Sequence, residues 1–340
     1  MNNVQTETKV RRESKNRIKV DFERTPLLQR LKAKFLNLYT LKKVVWYLFR
    51  FLLLLGISYI ILFPFFSKIS SSFMTKEDLV DVTVRLIPKH PTLSTYKAII
   101  TDNNYFVALG NTFILSFLCG VMQTFVCCFI AYGFAKFKFK GNKLLFLLVI
   151  FTMVVPHATL SLSIATKFKF FDIFGIIQLI TGSPINMLNT NWPLYILSLT
   201  GLAYKNGLYI FMLRQFFRGI PDELEESAYL DGSGIFKTFF KIILPLSGTM
   251  LITVFMFAFC WQWTDNFYTD MFYSITGPTL LPDIIKVPRS LDTNYAGSAL
   301  YTAAIKNACG MLIITPLIIL YLFGQRYIVQ GIERSGLTAD

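Results

Sequence analysis

Few residues of this chain could do chemistry: two histidines, five cysteines and one run of acids at Asp222, Glu223, Glu225 and Glu226. His90 and His157 have no partner at metal-ligand or triad spacing, so neither points to a catalytic or metal centre. Cys119, Cys127, Cys128, Cys260 and Cys309 all fall inside apolar runs, without a CxxC pair, and read as small hydrophobes. The stretch GSGIFKT, Gly232 to Thr238, superficially evokes a phosphate loop. Phe236, however, stands where the glycine before the lysine is required, and no strand precedes it. What remains is EESAYLDGSGIFKTFFKIILPL, Glu225 to Leu246, in which an acidic helix start is joined through Gly-Ser-Gly to an apolar run carrying two lysines.

The elements around that stretch are set by composition. With 54% hydrophobic residues, 34 phenylalanines and only 16% charged residues, the chain is a membrane protein. Its net charge of +14 lies in the N-terminal tail and in short loops beside apolar runs, which favours a lipid surface over nucleic acid as the partner of that charge. A spanning helix needs about 20 mostly apolar residues, because hydrocarbon offers an unpaired backbone group no partner. Six segments qualify: Val44 to Phe66, Val107 to Ala135, Lys143 to Thr166, Trp192 to Leu213, Pro245 to Trp263 and Thr302 to Phe323. Pro156 and Pro316 are expected to kink their spans.

Twelve lysines and arginines precede Val44, and KFKFKGNK adds four more. Together with Arg214, Arg218, Lys237 and Lys241 they mark one side of the membrane as cytoplasmic. The other loops carry Glu77, Asp78, Asp81, Asp265, Asp270, Asp283 and Asp292. Both termini are therefore expected in the cytoplasm, and the acidic stretch lies in the one long cytoplasmic loop. Pro221 and the acids after it suit a helix start, where negative charge meets the positive end of the dipole. Asp231-Gly232-Ser233-Gly234 breaks that helix, and Ile235 to Ile243 begins a second with Lys237 and Lys241 on one face. The expected unit is helix, turn, helix at the membrane surface.

Glu226, Ala228, Gly232, Ile242, Leu244 and Pro245 match the EAA signature of ABC-importer permeases: glutamate, two alanines, three residues, glycine, nine residues, then Ile-x-Leu-Pro. Ser227 stands in place of the first alanine. The chain also resembles the second, maltose-importer-like permease of carbohydrate uptake systems. That likeness is carried by Asn111-Thr112, AYGFAKFKFKG, PDELEE and QRYIVQG, and loosely by Trp261-Gln262-Trp263-Thr264-Asp265. The resemblance covers about Asn111 to Gly331; GIERSGLTAD at the C-terminus lacks the glycine-rich basic ending common in that family.

The resemblance implies an all-α permease of six transmembrane helices with a cytoplasmic coupling helix. Glu225, Glu226, Ser227, Ala228, Asp231, Gly232, Ile242, Leu244 and Pro245 would then couple it to an ATPase. It further implies a second homologous permease, two ATPase subunits that hold the ATP and Mg, and an extracellular solute-binding protein, in the plasma membrane of a prokaryote. The chain itself is expected to be no enzyme and to hold no cofactor. Its organisation reads as a basic cytoplasmic tail at 1–43, a first span and outer loop at 44–106, a permease core at 107–327 with the coupling helix at about 221–234, and a cytoplasmic tail at 328–340.

Asn111, Gln123, Trp261, Trp263, Tyr268 and Asn307 are the candidates for a solute path, since amides and aromatics suit a neutral hydroxylated solute. The same residues equally suit an interfacial belt and interhelix bonds. A secondary transporter or channel without an ATPase is the alternative class. It generally places ionisable residues inside the spans, and these spans hold no Asp or Glu. An assembly or insertion factor is a third class, but gives no reason for the EAA spacing.

Overall fold

The computed structural model describes residues 38–273, 277–293 and 298–334. Most of the basic tail therefore lies outside the described residues, as do the last six positions. Apart from one isolated antiparallel bridge, Phe171 with Ile185, the described residues form helices and their connections.

Helix α1, Leu38–Ser72, lies partly in the unit 1–65; the unit 66–340 holds the remaining helices. From Lys42 to Phe65 the α1 side chains are exposed all round, the surface of a helix whose solvent is lipid. After α2, Lys76–Val80, and α3, Ser94–Asp102, comes α4, Tyr105–Lys136, 32 residues long and apolar enough to span.

The third expected span is broken. Helix α5, Asn142–Val154, and α6, His157–Lys169, meet at 100°. Val155 is extended because the Pro156 ring excludes the helical conformation from the residue before it. A short α7, Ile176–Thr181, precedes the fourth expected span, Trp192 to Leu213, which is likewise two helices: α8, Trp192–Leu199, and α9, Asn206–Arg218. Between them Leu202 and Ala203 both donate their N–H groups to the Leu197 carbonyl, folding the chain into a tight turn. Because α9 runs to Arg218, Arg214 and Arg218 are helical rather than part of the following loop.

Helix α10, Glu223–Leu230, is followed by α11, Ile235–Leu246, and α12, Gly248–Trp263, the last two bent by 75°. Then come a short α13, Phe267–Phe272, a 3₁₀ turn at Leu281–Ile284, and α14, Ser298–Arg334. Pro316 lies inside α14 without interrupting it, so of the two expected proline kinks only that at Pro156 forms a break.

Helix α4 is the spine. It packs along α12, α9 and α8, while α12 also packs on α14 and α5 on α9. Its residues enter three buried clusters: Cys127, Ala131 and Tyr132 with Leu213, Phe217 and Ile243; Tyr105 and Ala108 with Trp263 and Ile305; Leu115 and Cys119 with Leu194 and Phe272. Gly207 shows how tightly α9 lies on α5: a Cβ there would come 2.8 Å from Thr152 Oγ1 and 3.1 Å from the Val149 carbonyl.

Candidate functional site

The acidic stretch folds as a hairpin bound to the end of α4. Tyr132 and Lys136, one helical turn apart, both reach it. The Tyr132 hydroxyl donates to Glu225 Oε1 at 2.6 Å. Lys136 Nζ donates to the Ile220 carbonyl at 2.7 Å and to Asp222 Oδ1 at 2.6 Å, and lies 3.5 Å from Glu225 Oε2. Lys136 and Glu225 are both buried, so this is a fully partnered ionic anchor rather than a surface pair. The hydrogen bond from Lys136 holds the Asp222 carboxyl below the usual carboxylate range.

Helix α10 begins with Asp222 as its N-cap, so Pro221 lies just outside the helix and not in its first turn. Its C-terminus explains the spacing of alanine and glycine in the signature. Gly232 adopts φ +76°, its N–H donates to the Tyr229 carbonyl, and the Ser233 N–H donates back to the Ala228 carbonyl at 2.9 Å. These two bonds form a Schellman motif, which places a left-handed residue two positions beyond the last helical one. Ala228 is buried, where a larger side chain would hold α10 off the core. Ser227 instead faces outward and donates to the Glu223 carbonyl at 2.7 Å, so of the two small residues only Ala228 is packed against the core.

In α11 a π-turn over Phe239–Ile243 buries Phe239 and Ile243. Ile242 and Leu244 are half-buried and Pro245 is exposed. Glu226, Asp231, Leu230 and Phe236 all face outward, the last two 90% and 76% exposed. The hairpin therefore has an inward face fixed to α4 and an outward face combining acids with bare apolar side chains. Of the residues expected to couple the permease to an ATPase, Glu225 belongs to the inward face, bonded to Tyr132, and Glu226 to the outward one.

A second site forms where three helix breaks converge: Val155–Pro156, the turn from Thr200 to Lys205, and the residues between Trp263 and Phe267. They enclose a cavity of about 450 Å³. Backbone freed by broken helices is tolerated at membrane depth where it lines such a space. Of the six expected path residues, Gln123, Trp261 and Tyr268 line the cavity. Gln123 donates to Ser198 Oγ at 3.3 Å. The other three serve packing: Asn111 donates to the Thr279 carbonyl, Asn307 to Ser71 Oγ, and the buried Trp263 indole to the Ile313 carbonyl. Asn307 and Trp263 are thus bonded to other helices and Asn111 to the connection before the 3₁₀ turn, and none of the three lines the cavity.

Several lining residues escaped sequence reasoning. His157 stands 3.0 Å from the Tyr268 hydroxyl, its ring edge-on to Tyr204. Lys205 Nζ lies over the rings of Tyr204 and Trp261, at 4.1 and 4.3 Å from their centroids. Asp265 also lines the wall, and accepts from the N–H groups of Tyr268 and Thr269. The available signals were Pro156 immediately before His157 and a lysine well inside the expected fourth span. Among the described residues no cluster of ligating side chains could hold a metal.

Residues 123–334 match the model of the binding-protein-dependent transport system inner membrane component family. The chain belongs to this family. The permease is 26% identical over 85% of its length to the galactooligosaccharides transport system permease protein GanQ of Bacillus subtilis, covering 94% of it. It is 26% identical over 83% of its length to the arabinooligosaccharides transport system permease protein AraQ of Halalkalibacterium halodurans, covering 92% of that relative. Among solved structures it superposes on a chain of a bacterial ABC transporter involved in the import of the acidic polysaccharide alginate. The TM-score is 0.64 at 19% identity, over 84% of this permease and 97% of that chain. The helical architecture is thus that of a transport permease of the membrane.

Proposed function

We propose that this permease is the transmembrane subunit of an ATP-driven importer that carries a sugar or oligosaccharide delivered by an extracellular solute-binding protein. It pairs with a second related permease and with two ATPase subunits that bind the nucleotide and its Mg, in the plasma membrane of a prokaryote with both termini cytoplasmic. The observation that carries this reading is the two-faced hairpin, rigidly tied to α4 through Tyr132 and Lys136 and presenting Glu226, Leu230 and Phe236 outward. A lever between a motor and the spans needs such a division: an inner face that moves with the spans and an outer face that a partner can grip. The oligosaccharide systems of the relatives support the solute class.

In this reading docking of the binding protein favours the outward-facing, ATP-bound state, and hydrolysis resets it. The experiment is co-purification followed by reconstitution: ATPase subunits should accompany the permease, and uptake into proteoliposomes should require ATP inside the cytoplasmic compartment. The titratable side chains of the cavity, His157, Lys205 and Asp265, favour one other reading, an ion-coupled carrier without an ATPase. Uptake driven by an ion gradient in the absence of ATP would support that reading instead.

A further inference from the structure

Lys205 takes part in no salt bridge among the described residues. Its ammonium is held by two ring faces rather than by an acid, and among the described residues it has no carboxylate within ion-pair distance. Ring quadrupoles orient a cation without neutralising it. Asp265, the acid in the same wall, has its oxygens engaged by two backbone N–H groups at 3.3 and 3.0 Å. His157 faces the cavity from α6, bonded to Tyr268 and packed on Tyr204, and supplies no negative charge.

Two further features favour an anion. Helices α6 and α9, of 13 residues each, have their N-terminal ends at the cavity wall, α6 with its first residue His157 and α9 with its N-cap Lys205, and helix N-termini carry partial positive charge. Independently, polar atoms are left unsatisfied there. Tyr209 lines the cavity, is fully buried, and its hydroxyl has no hydrogen-bond partner; the Nε2 group of Gln262, another lining residue, is likewise buried and unpaired. Buried donors without partners are costly unless a ligand or water completes them.

We propose that this cavity is a saccharide subsite selective for an acidic sugar, with Lys205 receiving the carboxylate of a uronate and Tyr209 and Gln262 bonding its hydroxyls. The inference rests on the importer reading and narrows its substrate class from sugars and oligosaccharides in general to acidic saccharides. The cavity volume falls within the usual range of small-molecule sites, about 300–1,000 Å³.

The test uses the whole transporter in lipid nanodiscs without its binding protein. Calorimetry with digalacturonate and with galactobiose would be run on wild type, Lys205→Gln and Lys205→Arg. Digalacturonate should bind at least about tenfold more tightly than galactobiose, a preference that Lys205→Gln abolishes and Lys205→Arg retains. Equal affinity of wild type for the two disaccharides, absence of binding by either, or an undiminished preference in Lys205→Gln would each overturn the subsite. ATPase association and ATP-driven uptake of any saccharide in the same preparation report on the importer reading separately, so the two can fail independently.

Discussion

The Tyr132 hydroxyl donates a 2.6 Å hydrogen bond to Glu225 Oε1, joining the end of one long apolar helix to the first turn of a short acidic one 93 positions further along the chain. Tyr132→Phe would leave a buried carboxylate with Lys136 alone, at 3.5 Å. The expected cost is about 1–3 kcal/mol, concentrated in the hairpin. Hydrogen exchange at residues 223–238 should accelerate while the rest of the permease keeps its protection. Removing the cation, Lys136→Met, should do more, about 3–5 kcal/mol, because it strands the buried charge of Glu225. Unchanged exchange in both variants would show that the hairpin is held by its apolar contacts alone.

Gly232 has open space around its α-carbon, so substitutions there act through the backbone alone. At φ +76° a β-branched residue is strained by about 1–3 kcal/mol, whereas asparagine tolerates the left-handed region. Gly232→Val should weaken ATPase association or uncouple hydrolysis from uptake, and Gly232→Asn should come close to wild type. Equal behaviour of the two variants would remove the Schellman turn as the cause.

Glu226 faces outward, so truncating it should spare the permease and affect its assembly. Glu226→Ala is expected to leave insertion, melting temperature and pairing with the second permease unchanged while weakening ATPase binding, since a charge-assisted contact to a basic residue of the partner would be lost. Normal binding-protein-stimulated hydrolysis and uptake would reduce the outward face to an ordinary amphipathic surface.

Gly207→Ala places a methyl group against Thr152 and the Val149 carbonyl, and α5 cannot yield its backbone cheaply. Overpacking of this kind costs about 1–3 kcal/mol. A lower melting temperature of the purified permease is expected; an unshifted melt would mean that α5 and α9 are free to separate.

The orientation is open to labelling. The native cysteines Cys119, Cys127, Cys128 and Cys309 are buried and Cys260 is half-buried, so a background without them is needed only for completeness. Impermeant reagent applied outside intact cells should label a cysteine at Asp81 or Asp283 and miss one at Glu226. External labelling at Glu226 would invert the topology.

The sequence by itself determined the class, the apolar segments and the hairpin. Hydrophobic runs must be satisfied by lipid whatever their neighbours do, and the pattern from Glu226 through Gly232 to Pro245 encodes local events: a helix start, a left-handed cap and a second helix. These are short-range and survive translation into three dimensions, which is why Gly232 stands at φ +76° as its place at the helix break suggested. Tertiary structure alone decided which polar residues serve the solute and which serve packing. Trp261 and Trp263 are two positions apart on one helix, yet one lines the cavity while the other is buried against Ile313, because two helical residues separated by about 200° face different neighbours. Pro156 marked one break, but hydropathy passed over the one before Asn206, since an average over twenty residues is blind to a turn. Those breaks bring Lys205, His157 and Asp265 to one cavity, and it is long-range packing on α4 and α12 that brings the separate segments together.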